Sequence, residues 1–575
     1  MIRPHAARLD AYETRRSRRR KAPAAMMALV CLAATAAPAT DAFAQSPSLG
    51  LLASKGTVSA CQALSGYAIP AARIGLPTSG ATITSASLVA ADTDNSHGEY
   101  CLIRGAIHPV DPKAPDILFE LNIPTTWNKR VLGMGGGGYN GAVKTGLTGV
   151  SFAPWTTTPL ARGYATYGSD SGHESAIGNT DASFALNAEA LTNYGYAWIK
   201  KTHDAVSVIL RAYFGAGVAY KSYFAGASTG GRESLTAIER FPRDYDGAFV
   251  AAPTANFWGL RMIGFAIGQA AYGSSAGYLN HAKQALVVHA SMAACDALDG
   301  VADNIISNVP ACRARAVATM ASLRCPGGAD AGDTCLSDAQ LRVVQALHTG
   351  LTLPYAMAHN ATRYPGYEVF EGADFTDATL GLGASGALAS PPTTSTNGYL
   401  YAQGAQWVRY FVAQNPTFDP LTFDPLKPGA YRQRVVELSG IVGANDPDLS
   451  AFRARGGKVI VLQGLADTAV SPQATIQFYN AMVRKMGSAS VNSFVRFYTA
   501  PGMGHGTGAF LPAWDALGAL DAWVTSGVAP GTQLGTDTAA ATKGRTRPLC
   551  VYPAWPKYKG SGDPNAAASF TCSTS

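Results

Sequence analysis

The sequence predicts an α/β fold: a largely parallel β-sheet covered on both faces by helices and interrupted by a large insertion. Three observations carry that expectation. Short β-rich runs alternate with helical stretches at both ends of the chain. About 200 residues, from 254 to 455, break the alternation. A Gly-x-Ser-x-Gly segment also falls where a strand pattern runs straight into a helical one.

Strand patterns open at residues 100–107, 117–123 and 130–134, the third running into Gly135-Gly136-Gly137-Gly138-Tyr139-Asn140-Gly141. A run at 163–167 and a helical stretch over about 193–213 follow. Residues 221–225 lead into Gly226-Ala227-Ser228-Thr229-Gly230-Gly231, then a helix at 233–241 and a strand at 248–252. The segment 254–455 is Ala-rich, helical in places and loop-like over 381–398. It reads as a lid domain, which leaves 45–253 and 456–575 as the main α/β domain. Strand signals return at 458–462 and 494–498, a helix follows at 514–524, and the tail from Gly531 reads as polar and irregular.

Composition narrows the function classes. With 575 residues, 47% of them hydrophobic and 14% charged, the chain is neither disordered nor collagen-like. The formal charge of +7 is concentrated at the N-terminus, where residues 1–44 hold eight Lys/Arg and three Asp/Glu. The remaining 37 basic and 35 acidic residues nearly cancel, so charge gives no reason to expect a nucleic-acid partner.

The same terminus reads as a signal peptide. Arg15, Arg16, Arg18, Arg19, Arg20 and Lys21 precede an apolar run over 22–37, and Ala42-Phe43-Ala44 fits cleavage before Gln45. The run is shorter than the roughly 20 residues a membrane span needs, and no later stretch reaches about 18. The mature chain is therefore expected to be exported, to the periplasm or beyond, with no membrane span. Cysteine usage agrees: without Cys31 there are eight, in four local couples. Local closure is entropically cheapest and favours Cys61–Cys101, Cys295–Cys312, Cys325–Cys335 and Cys550–Cys572. No CxxC is present, which argues against zinc.

The chemistry converges on Ser228, Asp467 and His505. Glycines around Ser228 let a strand turn sharply into a helix and lift the hydroxyl clear of the sheet, with helix N–H groups behind it. The second match, around Ser275, follows a helical pattern inside the insertion and is set aside. A serine hydroxyl needs a base. His505, in Gly502-Met503-Gly504-His505, lies just past a late strand, and Asp467 lies past the preceding one. That is the order Ser, acid, His of α/β-hydrolases. An N-cap of a following helix is the alternative for Asp467. The Gly135–Gly138 run suits an oxyanion loop, with N–H groups from Gly136 or Gly137 joined by that of Thr229. The acidic loop Asp296-Ala297-Leu298-Asp299-Gly300-Val301-Ala302-Asp303-Asn304-Ile305 reads from spacing alone equally as a Ca2+ loop or a solvated turn.

Taken with Asp170-Ser171-Gly172-His173, Asn193-Tyr194-Gly195-Tyr196, Ser228-Thr229-Gly230-Gly231-Arg232-Glu233 and Phe241-Pro242-Arg243-Asp244-Tyr245-Asp246-Gly247, these segments resemble the tannase/feruloyl esterase family of α/β-hydrolases. That family includes mono(hydroxyethyl)terephthalate hydrolases. The resemblance spans residues 55–575 and implies an α/β-hydrolase sheet with a large inserted lid domain. It implies a Ser228–His505–Asp467 serine esterase acting on small aromatic esters, without an organic cofactor. It also implies a structural Ca2+ in the lid, held by the carboxylates of Asp296, Asp299 and Asp303 and the carbonyls of Val301 and Ile305. Trp407 is the expected wall of the substrate pocket. One departure stands out: the family's cysteines directly before the serine and after the histidine are replaced by Ala227 and Gly506. An acyltransferase on the same triad, or a non-catalytic exported binding protein on the same scaffold, are the alternatives; the sequence does not give the oligomeric state.

Overall fold

Ten strands form the central sheet in a computed structural model of the chain, which describes residues 58–575 apart from 151, 152, 156, 176 and 275. The expected signal segment 1–44 and Ser275 lie outside the described residues. The sheet strands are β1 (Ala68–Ile69), β2 (Gly80–Val89), β3 (Tyr100–His108), β4 (Ile117–Pro124), β5 (Arg130–Met134), β6 (Ala165–Ser169), β7 (Lys221–Ala227) and β8 (Gly247–Ala251). The insertion carries the small hairpin β9 (Gly350–Thr352) and β10 (Arg363–Pro365), after which β11 (Lys458–Gly464) and β12 (Val495–Ala500) complete the sheet. The order across it is β1-β2-β3-β4-β6-β5-β7-β8-β11-β12. Pairing is antiparallel from β1 through β4 to β6 and parallel from β6 onward. This is an α/β-hydrolase fold with a mixed, mostly parallel sheet and an inserted helical region.

The parallel strands are buried on both faces, as near-continuous apolar runs should be. The period-two alternation sorts their side chains cleanly. Phe224, Ala248, Val250, Val459 and Val461 face one core, beneath the helices Trp198–Phe214, Thr229–Arg240 and Pro472–Met486. Tyr223, Ala225, Phe249, Ile460 and Leu462 face the other, against the helix Ala516–Ser526. Because these strands run the same way, the segments after β5, β7, β11 and β12 all emerge at one edge of the sheet.

The segment between β8 and β11 is mainly helical, with Phe257–Tyr272, His281–Cys295, Asp338–Thr349 and Arg432–Val442 as its longer helices. Its core is continuous with the sheet half: Tyr139, Leu191 and Tyr194 pack in the same cluster as Phe257, Tyr367, Trp407 and Phe411. The tail corrects the expectation of an irregular chain end. Residues 512–513, 533–537 and 546–549 form a three-stranded sheet (β13, Pro512–Ala513; β14, Gln533–Asp537; β15, Thr546–Leu549), and β16 (Trp555–Tyr558) pairs with β17 (Phe570–Ser573). Their short, Gly- and Pro-interrupted runs carry little periodicity, and cross-strand pairing supplies the order. Among the described residues no helix is long and apolar enough to cross a membrane.

All four expected disulfides form: Cys61–Cys101, Cys295–Cys312, Cys325–Cys335 and Cys550–Cys572. The first spans 40 residues and ties the short helix Val58–Gln62 to β3, with both cysteines fully buried. Replacing Cys61 and Cys101 together by Ala is expected to lower the unfolding free energy by about 2–4 kcal/mol. Denaturant titration checks the loss, and far-UV circular dichroism should show the native secondary structure retained.

Candidate active site

Ser228 stands between β7 and the helix Thr229–Arg240 at φ 60° and ψ −122°, a conformation non-glycine residues rarely adopt. The turn is held from three sides. Its N–H donates to the carbonyl of Ala251 in β8 (3.0 Å), and its own carbonyl accepts from the N–H groups of Arg232 and Thr254 (both 3.1 Å). The flanking glycines are required by close approach. A Cβ on Gly226 would lie 2.4 Å from the Gly230 backbone, and one on Gly230 would lie 2.8 Å from the carbonyl oxygen of Gly136.

Asp467 follows β11 and is fully buried. One carboxylate oxygen, Oδ1, accepts the N–H groups of Ala469 and Val470 at 2.8 Å each. The other, Oδ2, meets Nδ1 of His505 at 2.7 Å. The next helix starts only at Pro472, with Ser471 at its cap, so Asp467 is not an N-cap. Two N–H groups and an imidazole thus offset the cost of burying the carboxylate. Tyr364 and Tyr367, from the insertion, cover this corner. The hydroxyl of Tyr364 accepts from the N–H of Ser471 (3.2 Å), and that of Tyr367 donates to the carbonyl of Ala469 (3.3 Å). Burial pushes both phenols above their ordinary pKa, helped by the Asp467 charge.

The His505 loop is fastened to the Asp467 strand end by two main-chain bonds, from Leu465 to Ala500 and from Ala466 to Met503, both 2.9 Å, and Phe510 closes the loop on itself by donating to Gly502 at 3.2 Å. Positions 227 and 506 carry Ala and Gly, so no cysteine bridge joins the serine and histidine turns. Gly506 has φ 88°, so a cysteine there would be strained as well as unpaired.

Ser228, His505, Gly136, Gly137, Ala227 and Gly506 line one cavity of about 740 Å3. The structure separates the two oxyanion candidates in the glycine loop. The N–H of Gly136 is already donated to Oε2 of Glu233 (2.8 Å), so Gly136 is not available as a donor. Gly137 lines the cavity with Asn179 Nδ2 in ordinary contact (3.9 Å from a Cβ built there), and among the described residues its N–H, like that of Thr229 at the first turn of the helix, has no protein partner. Trp407 is corrected as well: it is fully buried in the second core, tilted against Phe411 (4.7 Å) and edge-on to Phe257 (5.8 Å), and it does not line the cavity. Trp155, Leu380, Tyr399 and Leu511 form the apolar walls instead, with Lys144, Asn179 and Thr379 as polar groups. Trp155 sits in an irregular segment between β5 and β6, where no periodicity marks a side chain's direction.

The acidic loop wraps on itself around Gly300 in the left-handed region. Asp296 accepts the N–H groups of Asp303, Asn304 and Ile305 at 3.1–3.3 Å. Asp303 pairs with Arg547 of β15. Asp299 is buried with Oδ2 lacking a well-formed hydrogen bond, and burial pushes its pKa up to about 6, partly offset by Ser307. The orphaned buried oxygen of Asp299 suits a hard divalent cation, but Asp296 is engaged by main-chain N–H groups and Asp303 by Arg547, and the three carboxylates do not converge within 4.8 Å of one another. Ile305 packs in one cluster with Met503 and Phe510 of the His505 loop. Two groups among the described residues do bring their ligand atoms within 4.8 Å, His203–Asp204–Asp244 and Glu239–His359–Asp446. Lys200 already bonds both acids of the first.

A family model described as tannase and feruloyl esterase matches residues 101–573. An uncharacterized esterase of Agrobacterium fabrum is 44% identical over 522 residues, covering 89% of this chain and 92% of its own. A mono(2-hydroxyethyl) terephthalate hydrolase of Piscinibacter sakaiensis is 32% identical over 537 residues, covering 82% and 85%. Among solved structures, feruloyl esterase B of Aspergillus oryzae superposes with a TM-score of 0.70 at 24% identity, over 90% of this chain and all of that one, a likeness of fold.

The two tryptophans are separable by experiment. Trp407→Ala is expected to cost about 3–5 kcal/mol in chemical denaturation, the signature of a core aromatic. Trp155→Ala is expected to cost less stability and to weaken binding of aromatic ligands, measured as inhibition constants.

Proposed function

The chain belongs to the tannase and feruloyl esterase family, and from that premise we propose that it hydrolyses aromatic carboxylic esters with Ser228 as nucleophile, His505 as general base and acid, and Asp467 as the group that orients the imidazole. It is a carboxylic ester hydrolase. The observation that carries the proposed roles is the buried 2.7 Å contact of His505 with Asp467, beside the cavity that Ser228 also lines.

With Nδ1 engaged by Asp467, Nε2 takes the proton of the Ser228 hydroxyl as Oγ attacks the ester carbonyl. The tetrahedral oxyanion is received by the N–H groups of Gly137 and Thr229. Collapse expels the alcohol, which leaves with the proton held by His505. Water, deprotonated by the same imidazole, then attacks the acyl-enzyme and frees the acid and Ser228. Asp467 stays ionised throughout and stabilises the imidazolium.

The aromatic preference rests on the cavity walls. Trp155, Leu380 and Tyr399 offer flat and apolar surface to a ring, and Lys144, Asn179 and Thr379 offer hydrogen bonds to ring substituents. Feruloyl, galloyl and terephthalate-type monoesters share that chemistry. Residues 254–455 act as the lid, since Asp377, Thr379, Leu380 and Tyr399 belong to it. The Arg-rich and apolar N-terminal segment and four disulfides support export to the periplasm or beyond. Asp296, Asp299 and Asp303, with the carbonyls of Val301 and Ile305, would hold a structural Ca2+. Bound there, the ion neutralises the loop's carboxylates; the loop's own Ile305 buttresses the His505 turn.

Ser228→Ala is expected to abolish turnover of p-nitrophenyl and methyl hydroxycinnamate esters with an unchanged melting curve; residual turnover at the parent rate disproves the nucleophile. Asp467→Asn should lower kcat by about 10⁴ through loss of the imidazole tautomer. Chelation by EDTA should lower Tm, and Ca2+ should restore it, whereas Asp299→Asn should make Tm insensitive to both.

A further inference from the structure

Glu233 lies one turn into the helix that follows Ser228 and is wholly buried, yet the triad chemistry makes no use of it. Every contact it makes is with a donor. Oε2 accepts the N–H of Gly136 (2.8 Å), and Oε1 accepts Asn140 Nδ2 (2.7 Å) and Trp198 Nε1 (3.2 Å). Arg232 lies 3.5 Å from Oε1. A protonated carboxyl would put its O–H against this ring of donors, so the site is built for the carboxylate. Burial holds its pKa above the ordinary glutamate value, a rise that Arg232, Gly136, Asn140 and Trp198 offset in part.

The consequence falls on the oxyanion loop. The carbonyl of Gly136 accepts the N–H of Gly230 (3.0 Å), so both polar groups of this one residue are tied to the helix. The Gly136–Gly137 peptide is planar and trans, so its N–H points opposite to its C=O. The carbonyl points into the helix, and the N–H of Gly137 therefore points away from it, on the side of the cavity that Gly137 lines. The fit leaves no slack: a Cβ on Gly136 would lie 2.1 Å from Asn140 Oδ1, and one on Gly135 would lie 2.8 Å from Glu233 Oε2.

We propose that Glu233 is a positioning residue for the ester hydrolysis: its buried carboxylate clamps the N–H of Gly136 and so aims the N–H of Gly137 at the oxyanion. The inference rests on the reading of Ser228 as nucleophile. Glu233→Gln keeps size and burial but turns an N–H toward either Gly136 or Trp198, whose N–H groups cannot become acceptors. Turned toward Gly136, the amide leaves that N–H without an acceptor and the peptide must rotate; turned toward Trp198, it spares the Gly136 bond, since Asn140 can flip its free Oδ1 to meet the new N–H.

The test compares the parent enzyme with E233Q in kcat and KM on a p-nitrophenyl ester, scaled to serines titrated by a fluorophosphonate. An aryl trifluoromethyl ketone, whose serine hemiketal places an oxyanion between the same donors, reads the hole directly. Expected is a fall in kcat of about 10–100-fold with KM within about twofold, part of the loss seen when an oxyanion donor is deleted. Ketone affinity should fall by the same factor. E233D, which keeps the charge but withdraws the oxygen from Gly136, is measured beside E233Q. Unchanged kcat per titrated serine in every variant that folds, or a fall in kcat with ketone affinity intact, overturns the proposal. A parent enzyme that binds no ketone and reacts with no fluorophosphonate overturns the reading of Ser228 instead.

Discussion

The turn at Ser228 is the constraint on which the site depends. A non-glycine residue at φ 60° and ψ −122° is strained by about 1–3 kcal/mol and persists only where its surroundings over-determine it. Here the neighbouring strand takes its N–H, and the helix and the chain leaving β8 take its carbonyl. Those bonds require β7 and β8 to run parallel and in register, with Ala227 opposite Ala251. The same parallel run continues through β11 and β12, which is why residues 239 and 277 positions downstream, Asp467 and His505, reach the same edge of the sheet.

The His505 turn is held by non-covalent contacts alone. Main-chain bonds lace the His505 turn to the end of β11, Ile305 supports it from the acidic loop, and Tyr364 and Tyr367 of the insertion close over Asp467. The insertion therefore contributes to the order of the Asp467–His505 pair as well as to the cavity. The oxyanion side is tied in similarly, since the hydroxyl of Tyr139, three residues past Gly136, donates to the carbonyl of Gln403 at 2.8 Å.

The sheet's centre was legible because buried parallel strands are written as near-continuous apolar runs: residues 130–134, 221–225 and 458–462 all fall in parallel strands, and 117–123 falls in the antiparallel β4. Strand β2 was not, because its Gly-Ala-Thr-Ile-Thr-Ser-Ala-Ser-Leu-Val run is half exposed and rich in small polar residues, and pairing with β3 supplies its order. The helix after Ser228 starts at Thr229 rather than 233, because two glycines that weaken helix propensity are needed for close packing. The placement of Ser228, Asp467 and His505 at strand ends could be read from the sequence. The placement of Trp155, Glu233 and the tyrosines over Asp467 could not, since it is set by contacts between segments far apart in sequence. Trp407 misled because an aromatic in a lid looks the same in sequence whether it faces a ligand or a core.

The central claim is that Ser228 carries the acyl group between the two halves of the reaction. Rapid acid quench during turnover of a p-nitrophenyl ester, followed by peptide mass spectrometry, tests it most directly. The account predicts the acyl mass on the peptide containing Ser228, appearing with a stoichiometric burst of p-nitrophenol. Full turnover with that peptide unmodified, or with the acyl group on another residue, would contradict it.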